Sequence, residues 1–248
     1  MNDIGINAGY RIFKYYLWHQ FFFRVQVNRE KARPSYYKVA QALKEFEAEK
    51  PVLQQKHLYH CTFTIFDLET TGFFPEVGDE IISIGAVKVS EGKVQENNTF
   101  YLVVNPLQTV SRNTKKFTGL RRKDFRNGVT LPVGLKHFLE FSKGTILVAH
   151  PASFDINFLQ KRLHKWELPS FQPECIDSFS LANALLERSD CYLDAMVERF
   201  EIKKRTRHHA LNDAIMTAEV FQELLKLCYK QEVHTIRAMR ELINEGKD

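Results

Sequence analysis

The spacing of apolar residues changes twice along this chain. Phe63, Ile65 and Phe66 form a short apolar run, and Ile81, Ile82, Ile84, Ala86, Val87 and Val89 form another. Short runs rich in β-branched and aromatic residues predict strands. Thr99 to Val104 reads as a third strand, with Glu91-Gly92-Lys93 ahead of it as a hairpin turn. Three consecutive strands imply an antiparallel start to a sheet. From Pro132 the period lengthens: Val133, Leu135, Phe138, Leu139 and Phe141 fall at helical spacing, and Gly144 ends the pattern. Ile146, Leu147, Val148 and Ala149 then run without a polar break, as in a strand buried on both faces. Ser153 is placed to cap a helix carrying Phe154, Phe158, Leu159, Leu163 and Trp166. The clearest helical stripe comes last, through Ala210, Leu211, Ala214, Ile215, Ala218, Phe221, Leu225 and Cys228. Helices alternating with strands after an antiparallel start predict an α/β fold with a mixed sheet.

The grammar before Pro51 is different. That segment is aromatic and basic, with Ser35 as a helix cap and Val39, Leu43 and Phe46 at helical spacing. Residues 1–57 carry ten Lys and Arg against five Asp and Glu, so the whole formal charge of +5 sits there; the remaining chain is balanced at 25 of each. We therefore divide the sequence into a basic, aromatic-rich helical extension, 1–57, and a main domain, 58–248. The extension can pack on the main domain through its Phe and Tyr side chains, bind nucleic acid, dock on another subunit or lie on a membrane surface.

Composition narrows the function classes. With 248 residues and 44% hydrophobic content the chain can bury a sizeable core. Cys61, Cys175, Cys191 and Cys228 form no CxxC pair and have no histidine at zinc-finger spacing, so they read as reduced thiols. The aromatic stretch from Tyr10 to Val25 is interrupted by Arg11, Lys14, His19, Gln20 and Arg24, too often for a transmembrane span, and no small-residue cleavage site follows it. A cytoplasmic location is expected. Two basic runs stand out: Arg112, Lys115, Lys116, Arg121, Arg122, Lys123 and Arg126 oppose only Asp124, and Lys203, Lys204, Arg205 and Arg207 lead into His208. Clustered cations suit a polyanion, or simply a solvated surface.

Three segments carry the candidate chemistry. Asp67 and Glu69 in FDLETTG lie two apart at a strand end, so both side chains share one face and repel unless a cation lies between them. Gly72 in the following turn leaves room for backbone to approach a ligand. Asp155 falls in the first turn of a helix after a buried strand, the edge where open α/β sheets place ligands; a carboxylate there is also favoured by the helix dipole alone. Asp213 lies on the last helix. His208, five residues earlier, would be rotated by about 140° on a continuous helix, so the two can share a site only if His208 precedes the helix on its entering loop. A loop histidine can take a proton from water.

Taken together, these motifs resemble those of the DEDDh class of 3′→5′ exonucleases, the family of the bacterial DNA polymerase III epsilon proofreading subunit. FDLETTG is similar to the family's first motif, HPASFD to its second and His208-x-x-x-x-Asp213 to its third, while DEIISIGAVKV, KKFTGL and VAH stand between them in the family's order. The resemblance covers roughly residues 60–228. One position departs: Pro151 follows the histidine of the second motif where the family commonly has Asn, and it lacks a backbone donor.

The resemblance implies a ribonuclease H-like mixed sheet flanked by helices. It further implies two Mg²⁺ or Mn²⁺ ions held by Asp67, Glu69, Asp155 and Asp213, with His208 as general base, and release of nucleoside 5′-monophosphates from a free, single-stranded 3′ end. Thr70, Thr71, Gly72 and Phe73 would contact the substrate, Phe73 and Phe74 either stacking on the terminal base or packing inward. A DNA polymerase subunit is an implied partner. DNA is the favoured substrate. RNA, or a non-catalytic nucleic-acid or polymerase-binding module, are the alternatives. Gln222, Leu225 and Leu227, loosely similar to a sliding-clamp peptide, sit inside the strongest helix and are expected to pack.

Overall fold

The computed structural model describes residues 20–48, 56–186 and 190–246. The boundary expected near Pro51 and the extension's first nineteen residues lie outside that range. One five-stranded sheet runs β3(Lys93–Val103), β2(Ile81–Ser90), β1(Thr62–Thr70), β4(Ile146–Ala149) and β5(Cys175–Asp177). The first three strands pair antiparallel, whereas β4 joins β1, and β5 joins β4, in parallel. The mixed sheet is as the pattern predicts. β3, however, begins six residues before Thr99, immediately after the turn. Apart from half-buried Val94, its early residues Lys93 to Asn98 are polar and exposed on an open edge, so no apolar alternation announces them.

Helices cover both faces. On one side α1(Gln20–Lys31), α2(Pro34–Ala48), α5(Leu131–Ser142) and α6(Ala152–Lys165) bury Phe66, Leu68, Ile84, Ala86 and Leu147. On the other, α7(Ser178–Leu185), α8(Leu193–Arg199), α9(Ala210–Lys230) and α10(Ile236–Glu245) cover Phe63, Ile65, Val87, Val89 and Val148. Two short helices, α3(Arg112–Thr118) and α4(Arg122–Asn127), rest on a small separate cluster of Ile82, Val110, Leu120 and Phe125.

Both serines expected as caps lie inside their helices. α2 starts at Pro34, whose fixed φ suits a first helical position, and α6 starts at Ala152 after Pro151 with no capping side chain. The extension's described helices share a core with α5 and α6. Phe23 meets Trp166 edge-on at 6.0 Å, Phe46 packs near Phe171 at 5.6 Å, and the Tyr36 hydroxyl donates to the carbonyls of Trp166 and Glu167. Leu225 is buried and the Gln222 carboxamide accepts from the Val94 amide, so the clamp-like residues pack as expected.

The seat of α9 positions the site. Gly85 pairs with Asp67 across the β1/β2 ladder. A Cβ on Gly85 would lie 2.2 Å from backbone atoms of Ala210 and Leu211, so the helix backbone rests directly on the sheet. Asp213 follows within that first turn and is thereby aimed at the end of β1. Gly85→Ala must lift the helix, and overpacking of this kind typically costs about 1–3 kcal/mol. We expect a lowered urea midpoint for this variant; an unchanged midpoint would mean the helix is not seated there.

Candidate active site

Strand alternation sends Asp67 and Glu69 to the same face as Phe63 and Ile65, the side covered by α9. The turn after β1 is closed internally. Asp79 accepts from the Thr71 hydroxyl at 3.1 Å and from the Phe74 amide at 3.0 Å, while the Thr71 amide donates to the Glu80 carbonyl at 2.8 Å. A Cβ on Gly72 would sit 2.4 Å from the Asp79 carboxylate. Its missing side chain therefore makes room for Asp79, a different reason from the ligand approach expected. The Thr71 amide is likewise already used within the fold.

Asp155 is 4% exposed in the first turn of α6, directly after β4, where hydrogen bonding to the Leu68 backbone ties it to β1. Asp213 is 3% exposed in the first turn of α9. His208 precedes that helix with φ of +60°, a left-handed conformation that residues with a Cβ seldom adopt, and its amide donates to Asp213 Oδ2 at 3.0 Å. That hydrogen bond holds the unusual backbone and turns the imidazole toward the carboxylates. Ligand atoms of Glu69, His208 and Asp213 all lie within 4.8 Å of one another. His209 faces elsewhere, stacked on Tyr101 at 4.6 Å.

The electrostatics are strained by design of the fold. Burial raises the Asp67 carboxyl well above the usual range, and repulsion from Asp155, Glu69 and Asp213 adds to it. Asp155 is raised by burial and by Glu69. Glu69 is pushed up to about 8, first by burial and then by Asp213. Asp213 is raised by burial against the opposing pull of Arg207. Oxygen donors that resist ionisation together fit hard divalent cations, which accept several carboxylates at once. The donor set thus suits Mg²⁺ or Mn²⁺.

Residues without an assigned role complete the cleft. Arg207, noted before only as part of a basic run, bridges Asp194 and Asp213 at 2.7 Å each. His150 is held at both ring nitrogens, by Ser178 Oγ at 2.9 Å and the Cys191 carbonyl at 2.7 Å, which fits a structural part. The cleft has a volume of about 660 Å³. Phe73, Phe74 and Phe117 are 75%, 57% and 67% exposed on its wall, so they do not pack inward. Phe117 lies edge-on to His208 at 5.7 Å and Phe154 edge-on to Phe73 at 6.0 Å. In sequence, Phe117 was hidden in the basic run, where α3 was not anticipated. The Ser111 cap, whose hydroxyl accepts from the Thr114 amide, and the left-handed Gly119 were its available signals.

Comparison with known proteins places this geometry in context. The model of a family described as "Exonuclease" matches residues 64–221. A DNA polymerase III of PolC type from Thermotoga petrophila is 35% identical over 176 residues, covering 69% of this chain and 12% of that protein. A DNA polymerase III subunit epsilon-like protein from Rhodobacter capsulatus is 32% identical over 179 residues, covering 70% of this chain and 25% of its own length. The chain thus spans a small fraction of these relatives. Among solved structures, the nuclease domain of 3′hExo, a DEDDh family member bound to rAMP, superposes with a TM-score of 0.61 at 24% identity, covering 68% of this chain and 94% of that one. The fold is the ribonuclease H-like one of these exonucleases.

Raised carboxyls have a sign that can be tested. The native state binds a proton at Glu69 that the unfolded chain, near its ordinary value of 4.5, has already released, so stability falls as pH rises from about 4.5 to 8. In EDTA, thermal unfolding should occur at a lower temperature at pH 8 than at pH 5.5, and Mg²⁺ should raise it more at pH 8. Glu69→Gln should reduce this pH dependence, leaving the part due to the other raised carboxyls; an unchanged slope would remove Glu69 as a source.

Proposed function

Because this chain belongs to the exonuclease family whose model spans residues 64–221, we propose that it is a metal-dependent 3′→5′ exonuclease releasing nucleoside 5′-monophosphates from single-stranded ends. The supporting observation is that Asp67, Glu69 and Asp213 line one cleft with the loop histidine His208, while Asp155 is buried close enough to repel Asp67. Asp67, Glu69, Asp155 and Asp213 would hold two Mg²⁺ or Mn²⁺ ions. Bound there, such ions neutralise charge on the phosphate and make water a better nucleophile.

The chain's own groups divide the remaining work. The His208 imidazole accepts a proton as the water oxygen bonds to phosphorus; the bond from phosphorus to the 3′ oxygen breaks, that oxygen takes up a proton from solvent, and His208 returns its proton to solvent. The products are a 5′-monophosphate and a strand with a new 3′ hydroxyl. Exposed Phe73 and Phe74 offer faces for the terminal base, and Thr70, Thr71 and Gly72 line the cleft. Residues 58–248 are read as the catalytic domain, with 1–57 as an extension. DNA is preferred over RNA because the relatives are DNA polymerase III proteins by name, and those names also support a polymerase partner. No described helix is long and apolar enough to cross a membrane; a cytoplasmic setting goes with the replication reading.

The test is a degradation time course on 5′-labelled single-stranded DNA and RNA, with and without Mg²⁺. Stepwise shortening from the 3′ end is expected, faster on DNA; internal cuts, or no activity on either polymer, would refute the proposal. Asp67→Ala and Asp155→Ala should abolish mononucleotide release. His208→Asn, whose new side chain tolerates the left-handed backbone, should slow turnover about 10²- to 10⁴-fold while metal-dependent stabilisation persists. His209→Asn should retain near wild-type turnover; comparable loss would move the base role to His209.

A further inference from the structure

One cationic surface lies outside the cleft. α3 is a wall with two sides: Asn113, Thr114 and Phe117 line the carboxylate cleft, whereas Lys115 faces the other way. There Lys115 joins Arg122 and Arg126 of α4 around a separate groove of about 340 Å³. Polar Asn105, Gln108 and Thr109 also line it, and no carboxylate does. Nearby Arg121 is engaged with Asp124, at 3.7 Å. Lys115, Arg122 and Arg126 form no ion pair with any described residue.

The groove is firmly built. Leu120 and Phe125 anchor both short helices on Ile82 and Val110, and the Thr114 hydroxyl ties α3 to the Thr71 carbonyl in the turn after β1, at 3.3 Å. The cations are therefore held at a fixed offset from the carboxylates, on the far side of one helix about 10–12 Å thick. Like charges are not gathered this way for stability, because nothing in the groove neutralises them. A polyanion does so, and releases counterions in the process.

We infer that Lys115, Arg122 and Arg126 form a second binding site for the phosphodiester backbone of the substrate strand, engaged by nucleotides upstream of its 3′ terminus after they cross α3. This rests on the polynucleotide reading above. The site leaves the chemistry alone and selects strand length: a strand of a few nucleotides fills the cleft only, and a longer one also fills the groove. The clustered charge belongs to this purpose and not to general solubility.

The test compares the full chain with a Lys115→Gln, Arg122→Gln, Arg126→Gln variant and with a charge-matched control, Lys38→Gln, Lys44→Gln, Lys226→Gln. All six positions are partly or fully exposed, so folding should be unaffected. Binding of a fluorescein-labelled 20-nucleotide single-stranded DNA, read by anisotropy in EDTA across a salt series, does not depend on turnover. For the groove variant, the slope of log affinity against log salt should fall by about 2, the share of three single-strand phosphate contacts. The control should keep the wild-type slope. With Mg²⁺, the variant should show a raised KM on the 20-mer and an unchanged KM on a dinucleotide. An unchanged slope, or an equal loss in the control, would overturn the second site while leaving the nuclease reading intact. Loss of all hydrolysis by the unmodified chain would instead refute that reading.

Discussion

Mutual repulsion among Asp67, Glu69, Asp155 and Asp213 at the end of β1 sets the terms for the surrounding structure. Two unit charges 4 Å apart at an effective dielectric of 20 interact by about 4 kcal/mol. Net stability of a domain is only about 5–15 kcal/mol, so four ionised carboxylates cannot share this space unrelieved. The folded chain has two forms of relief. Burial and repulsion make the carboxyls hold protons more tightly than free ones do, and Arg207 brings a guanidinium to Asp213. Both are partial, since one monovalent cation reaches one side of the cluster. A pair of divalent ions would meet all four carboxylates, which is why the same geometry reads as a metal centre and as a local weakness of the metal-free protein.

Holding the carboxylates together falls to contacts that carry no charge. Gly85 lets the α9 backbone settle on β2 opposite Asp67, and the buried stripe of α9 fixes its roll against Phe63, Ile65 and Val87. On the opposite face α6 follows β4 and is packed through Phe158, Leu159 and Leu163, which sets Asp155 beside β1. The cluster is thus a product of two independent helix dockings. A shift in either docking would displace a carboxylate from the cluster.

Legibility in the sequence followed the strength of each local signal. β2, β4, α5 and α9 were readable because burial on one or both faces imposes an apolar period. The start of β3 was not, since an exposed edge strand of Gln95, Glu96, Asn97 and Asn98 shows no alternation. Ser35 misled because Pro34 supplies the first helical position by fixing φ, and Ser153 because α6 begins at Ala152 behind an extended Pro151, with no side-chain cap. The placement of His208 on the loop before α9 was legible by geometry, as a five-residue offset cannot face one site on a helix. Its left-handed backbone was not, because it depends on the bond to Asp213 Oδ2. Arg207 and Phe117 were hidden within basic runs, where composition says surface and only tertiary structure tells which side chains line the cleft.

Screening decides which of the chain's cations bear on the cleft. The formal excess of +5 resides in residues 1–57, yet no described residue of α1 or α2 lines the carboxylate cleft. Those helices pack by Phe23, Tyr36 and Phe46 against α6 and the loop that follows it. At physiological salt exposed charges more than about 8 Å apart are largely screened. Net charge therefore says little about where a polyanion is gripped. The clustered cations of α3 and α4 line a separate groove on the other side of α3 from the cleft, so they would act on a strand only by direct contact, although by composition the main domain is neutral.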